Sequence, residues 1–217
     1  MRVFLWLSEY ATVTFAASLG KSFIGLVLAL LSTYKRGLKG MVDAQQRVIL
    51  SAVFGPIFIL AIVFLSAGTL DYWQGVLYTV LTLSVLVASY LSIRKNKDLI
   101  EERMKPGEGT KSWDKIYWRL AMGLFFVAII LACVDGGRFH WTTSLPLATY
   151  LFATILYVVG NALFLWTRTT NRFFSSVVRI QTDRGQTVCQ DGPYKYVRHP
   201  GYLGGLLYTV VTPLLLG

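Results

Sequence analysis

The sequence predicts an all-α fold. It reads as one polytopic membrane bundle over residues 1–217, with about six transmembrane helices, the N-terminus outside and the loop before the last helix cytoplasmic. Three observations carry that reading. Apolar residues make up 54% of the chain, above the roughly 45–50% of soluble domains. They gather in runs close to the roughly 20 residues needed to cross a bilayer. Basic residues gather instead in alternate connectors, so a net charge of +10 coexists with a mean hydropathy of +0.54.

The first span falls near residues 11–32. Lys21 stands near its middle, where a charge is expensive. Either Lys21 faces the bundle, or two shorter pieces meet at an interface that Lys21 marks. The remaining spans lie at residues 48–68, 73–93, 116–134 and 145–166, and from Pro200 to Gly217.

The first connector carries Lys35, Arg36, Lys39 and Arg47. The third carries Arg94, Lys95, Lys97, Arg103, Lys105, Lys111 and Lys115, and the fifth Arg168, Arg172, Arg179, Arg184, Lys195 and Arg198. The second, residues 66–72, has no Lys or Arg, and the fourth, residues 135–144, has Arg138 alone. Cytoplasmic loops carry the positive excess, which places the first, third and fifth connectors in the cytoplasm. Removing a span would put basic loops on both sides, so the alternation also supports the count. Trp73, Trp118, Trp141 and Trp166 mark span ends, where interfacial aromatics belong.

Two connectors are more than links. Residues 96–113 mix acids and bases and break at Pro106-Gly107, reading as a short polar helix and a turn. Residues 167–199 form a connector of about thirty residues, and loops of that length are often functional. Cys133 and Cys189 have no disulfide-like or metal-like spacing. The chain has no CxxC, no HExxH and no GxGxxG after a strand, so neither a metal site nor a Rossmann cofactor site is expected. The start, Met1-Arg2-Val3, lacks the basic region of a cleaved signal peptide. The bilayer is the expected partner, and no nucleic acid is.

The densest chemistry is Gly192-Pro193-Tyr194-Lys195-Tyr196-Val197-Arg198-His199-Pro200-Gly201-Tyr202-Leu203-Gly204-Gly205, where the basic loop re-enters an apolar run. Gly192-Pro193 signals a turn. Pro200 favours extended backbone at His199 and suits the first position of a helix, so the last span should start there with His199 at its cap. A helix N-terminus offers free N–H groups and partial positive charge. With Arg198 beside it, that end suits a carboxylate or phosphate. Tyr194, Tyr196 and Tyr202 add ring faces for a base or a cation. The set fits a ligand with a carboxylate, an aromatic base and a positive centre, as S-adenosylmethionine has. Plainer roles compete: Gly201 and Gly205 as a helix-packing pair, Lys195 and Arg198 as topology charges, and Tyr196 as an interfacial ring.

The run from Asn171 to Gly217 resembles the isoprenylcysteine carboxyl methyltransferase family, integral-membrane enzymes dependent on S-adenosylmethionine. The pattern is Gly-x-Tyr-x-x-x-Arg-His-Pro-x-Tyr-x-Gly, met from Gly192 through Gly204 with seven fixed positions in thirteen. The resemblance covers about a quarter of the chain. It implies a cofactor-binding loop and last span over residues 168–217. The implied cofactor contacts are Gln181, Gln186, Thr187, Val188, Cys189, Tyr194, His199, Pro200, Gly201 and Tyr202. Gln186 replaces a His common in the family, and Arg198 is the candidate for the substrate. The family's further Arg and Glu lie beyond the motif, past the end of this chain, which is therefore expected to be part of a longer protein. No catalytic residue is assigned.

The implied reaction is methyl transfer to a lipid-like acceptor, an isoprenylcysteine-type carboxylate. An ionised carboxylate needs no strong base, so catalysis rests on alignment and exclusion of water. The implied location is the endoplasmic reticulum of a eukaryote or the inner membrane of a bacterium, with the site facing the cytoplasm. Three alternatives stand beside it. A phospholipid amine methyltransferase differs only in acceptor. Membrane sterol reductases, which use NADPH, share the Arg-His-Pro-x-Tyr-x-Gly core but carry Asn and an acid where this chain has Gly201 and Gly205. An inactive fragment is the third.

Overall fold

A computed structural model describes residue 32 and residues 44–94, 111–142, 145–175, 177–178 and 180–217, with the backbone alone for residues 44–53, 93 and 112. The expected span at 11–32 apart from its last residue, Lys21 included, and most of the 96–113 connector lie outside these residues.

The described residues form five α-helices and contain no strand. The helices are α1 (Ala44–Ala67), α2 (Trp73–Ile93), α3 (Ser112–Val134), α4 (Leu147–Thr170) and α5 (Pro200–Leu216). Each expected span from the second onward is thus a helix: α2 has the expected bounds and α5 the expected start, while α1, α3 and α4 have shifted ends. α3 starts four residues before the expected 116 because Asp114 belongs to its first turn, where a carboxylate meets the positive helix end. α4 starts at Leu147 rather than 145: Pro146 holds extended backbone ahead of it, and its carbonyl accepts the Thr149 N–H at 2.9 Å. α4 also runs on past the expected 166 to Thr170, so Arg168 is helical rather than part of the connector.

The reason lies across the bundle. Arg168 is 4% exposed. Its guanidinium donates to Ser89 Oγ at 2.8 Å, Ser89 O at 2.9 Å and Ser92 Oγ at 2.6 Å. A cation at the C-terminal end of α2 meets the negative end of its dipole. Arg168→Met is expected to lower stability by about 1.5–3 kcal/mol, the net worth of hydrogen bonds to a charged group. Thermal melting in detergent checks this, and an unchanged melting temperature would remove Arg168 from the account.

α3 continues as one π-helical turn, Asp135–Phe139. From it Arg138 donates to Leu65 O at 3.2 Å, tying α3 to the end of α1. The core joins Ile62 and Val63 of α1, Tyr78 of α2, Ile129 and Cys133 of α3, Ala153 and Tyr157 of α4, and Val211 and Leu215 of α5. Thr82 Oγ1 donates to Tyr78 O at 2.8 Å, leaving a lone pair for the Tyr157 hydroxyl at 2.9 Å.

The outer faces are apolar too. Leu120, Leu124, Val127 and Leu131 make an exposed stripe on α3, and Leu151, Ile155 and Val158 one on α4. Such area in water would drive aggregation; in a bilayer it is solvated. Among the described residues, three segments are long and apolar enough to cross a membrane: Trp73–Ser92, Trp113–Phe139 and Leu147–Thr170. Pro200–Leu216 and the described Phe54–Ala67 are shorter apolar helices. These observations support an integral membrane protein.

α4 and α5 form the most extensive helix pair among the described elements and run antiparallel. Their crossing is a glycine contact. A Cβ on Gly204 would lie 2.6 Å from Gly160 O and 2.9 Å from Phe164 N, and one on Gly160 would lie 2.8 Å from Gly204 O. The packing pair is therefore Gly204 with Gly160. Gly201 packs beneath Phe174, whereas a Cβ on Gly205 would meet only the Tyr208 hydroxyl, at 4.0 Å. The expected Gly201–Gly205 packing motif is thus half right, because one of its two glycines stands in open space.

Candidate functional site: the loop between α4 and α5

The connector from Asn171 to His199 folds onto the shared end of α4 and α5, and its own side chains build it. Asn171 leaves helical geometry, with φ −97° and ψ 107°. Its Oδ1 accepts the Phe173 N–H at 2.9 Å, an Asx turn. Phe173 is buried beneath two guanidinium groups, with Arg172 4.7 Å and Arg184 5.7 Å from its ring centroid. Phe174 meets Phe164 of α4 edge-on at 5.5 Å. Asp114 Oδ2 accepts the Val178 N–H at 3.0 Å, so α3 also anchors the loop.

Gln181 is the hub of the next turn. It is 1% exposed. Its Nε2 donates to Phe173 O at 2.7 Å, and its Oε1 accepts from Arg184 Nη1 at 2.5 Å. Its backbone N–H is held by Gln186 Oε1 at 2.7 Å. Arg184 also donates to Arg172 O at 3.1 Å. Around these bonds residues Thr182–Arg184 make one 3₁₀ turn.

The chain then runs without regular structure to Gly192. This glycine sits at φ +56°, and a Cβ there would lie 2.8 Å from Thr170 Oγ1. A second 3₁₀ turn, Gly192–Lys195, follows, with Pro193 buried. It delivers the Tyr194 hydroxyl to Asn171 Nδ2, which donates to it at 3.0 Å. Burial pushes the Tyr194 phenol above its ordinary pKa, Asn171 opposes the rise, and nearby Cys189 adds to it.

As expected, Pro200 is the first residue of α5 and His199 its cap. The first helical bond runs from Leu203 N to His199 O at 3.1 Å. The N–H groups of Gly201 and Tyr202 precede it, at the end where an anion is favoured. The His199 and Tyr202 rings lie 5.8 Å apart at 40°. His199 is exposed and Tyr202 is 68% exposed, so the ring faces are open.

The structure thus brings the expected residues together in three groups: Gln181 with Gln186, Tyr194 with Cys189, and His199 with Tyr202. Pro200 and Gly201 are buried as helix-entry packing. Gln186, Thr187, Val188 and Arg198 are exposed, as is Tyr196, which fits an interfacial ring. Asn171, Asp114 and Arg168 were not picked out as site or anchor residues by the sequence. For Asn171 the available signal was an Asn just past the end of an apolar run, where Asx turns form. Asp114 and Arg168 give no local signal, because their partners lie 64 and 79 residues away. Among the described residues no group of three His, Cys, Asp or Glu gathers that would hold a metal.

Apolar helices carrying a polar, ring-lined loop at one shared end describe an integral membrane protein with a candidate site at that end. The model of the isoprenylcysteine carboxyl methyltransferase family matches residues 151–217, from within α4 through α5. The C-terminal segment of the chain is thus similar to that family, and the match supports a membrane methyltransferase. Neither a curated protein nor a solved structure matches the chain.

Proposed function

We propose that the protein transfers a methyl group from S-adenosylmethionine to a lipid-like acceptor, an isoprenylcysteine-type carboxylate. The observation that carries this is the placement of the matched motif: a loop docked on α4 and α5 that presents His199 and Tyr202 beside a helix N-terminus. Within the proposal, the residues present fit the cofactor. The first turn of α5 and Arg198 suit its carboxylate, the open rings of His199 and Tyr202 suit its base, and the Tyr194 phenol stays protonated and able to donate.

The cofactor supplies an activated methyl group on a sulfonium. The acceptor carboxylate is already ionised at neutral pH, so no residue of the chain has to remove a proton. The chain's task is to hold the acceptor oxygen in line and keep water away. Described basic residues at the loop end of the bundle, including Arg94, Lys111, Arg168, Arg172, Arg184, Lys195 and Arg198, support a cytoplasmic site, with Arg138 at the other end. Cofactor entry from the cytoplasm and lateral entry of the acceptor from the bilayer follow from that orientation.

One observation bears on the sterol reductase alternative. The position where those enzymes carry Asn is Gly201, whose Cβ would lie 2.9 Å from the Phe174 ring. A side chain there would displace the loop from α4, which favours the methyltransferase reading.

Calorimetry on the purified protein in detergent tests this. S-adenosylhomocysteine should bind and NADPH should not; the reverse would overturn the proposal. Tyr202→Ala and His199→Ala should each weaken binding by about tenfold or more, in line with about 1–3 kcal/mol for stacking on a base.

A further inference from the structure

We infer that Asn171 is a positioning residue that sets the hydrogen-bond polarity of Tyr194, turning its hydroxyl proton away from the loop and toward the bound ligand. This rests on the proposed cofactor site and adds to it a residue outside the recognised motif.

Three facts combine. First, the orientation of the Asn171 amide is determined. The Phe173 N–H is a donor only, so the atom 2.9 Å from it must be the amide oxygen. The NH₂ group therefore faces Tyr194, 3.0 Å away. Second, a phenol has one proton and accepts through lone pairs. Asn171 occupies it as an acceptor, so the Tyr194 proton has to point elsewhere. Third, burial raises the Tyr194 pKa, so that proton stays on the oxygen across the physiological range. The result is a neutral donor of fixed direction beside Cys189, in the segment that leads to the α5 N-terminus. A donor so placed suits an acceptor oxygen of the ligand, the cofactor's carboxylate or a ribose hydroxyl.

Asn171 also caps the turn that starts the loop, and the test has to separate the two roles. Asn171→Asp does so. A carboxylate still accepts from Phe173 N–H, so the turn persists. Toward Tyr194, however, it is a strong acceptor in place of a donor, and a phenol–carboxylate bond is short and charge-assisted. The proton is drawn inward and lost to the ligand.

The experiment measures S-adenosylhomocysteine binding by calorimetry on the full chain in detergent. Tyr194→Phe and Asn171→Asp are each expected to weaken binding about tenfold. The double variant is expected to bind no more weakly than Tyr194→Phe alone, since both act through one proton. If Asn171→Asp does not fold, Asn171→Ser serves instead: its hydroxyl can still accept from Phe173 N–H, while the donor to Tyr194 is gone, and a severalfold loss is expected. Wild-type affinity in Asn171→Asp, or a further loss in the double variant, would overturn the inference; the latter would signal plain repulsion between charges. Wild-type affinity in Tyr194→Phe would overturn it while leaving the cofactor site standing. Failure of the unsubstituted protein to bind would overturn the cofactor reading itself.

Discussion

Gly204→Leu is expected to yield little folded protein, whereas Gly205→Ala, one residue on, is expected to melt at or above the wild-type temperature. The two glycines are neighbours in one helix and differ in what faces them. At Gly204 even the first added carbon would sit 2.6 Å from Gly160 O and 2.9 Å from Phe164 N. Both are backbone atoms of α4, and neither can swing aside. Replacing glycine in a helix gains up to about 1 kcal/mol of propensity, while overpacking a tight contact costs about 1–3 kcal/mol for modest excess volume. Leucine adds three further carbons, so the clash dominates. The bilayer does not compensate, because lipid tails are as apolar as the separated helix faces. At Gly205 the space is open and only the propensity gain remains. Size-exclusion chromatography and thermal melting in detergent read both outcomes. A Gly204→Leu protein that elutes and melts like wild type would show that α4 and α5 do not cross at this distance.

Gln181→Met should abolish binding of the proposed cofactor while leaving the helical bundle intact. Methionine matches glutamine in length and fits a buried position, so packing is preserved. What disappears is the amide: Phe173 O loses its donor at 2.7 Å, and Arg184 loses its acceptor at 2.5 Å. A buried polar group left without a partner costs about 1–3 kcal/mol. The buried Phe173 O left without its donor, together with the loss of one Arg184 contact, exceeds what a loop held by two short 3₁₀ turns can withstand. Limited proteolysis should then cut faster within residues 171–199, with the melting temperature of the bundle little changed. The proteolysis arm also separates two roles for Gln181. Binding lost with unaltered proteolysis would mean that Gln181 touches the ligand directly, as the family resemblance implies. Binding lost together with loop protection would mean that it acts through the fold of the loop.

Much of this protein was legible in its sequence because the bilayer imposes coarse rules. A run near 20 apolar residues has to be a helix in lipid, since its backbone groups find partners nowhere else. The four complete apolar runs that fall within the described residues, and Pro200 as the start of α5, were therefore readable to within a few residues. The motif from Gly192 to Gly204 was readable because Gly, Pro and clustered rings restrict local geometry strongly. The helix ends were less so: α4 persists to Thr170 because Arg168 finds Ser89 and Ser92 on another helix.

What the sequence alone determined is the class: apolar helices of membrane length, basic connectors in alternation, and one motif that marks the C-terminal segment as isoprenylcysteine carboxyl methyltransferase-like. Those are local properties, set by residues within one turn or one span of each other. The tertiary structure alone decided which glycine packs and which is open, that the Gln181 amide is committed to the loop, and that Asn171 faces Tyr194. Each of these depends on atoms that meet only when the chain has folded. Hydrogen bonds and close contacts act over about 3 Å, and that distance joins Asn171 to Tyr194 across 23 residues of chain.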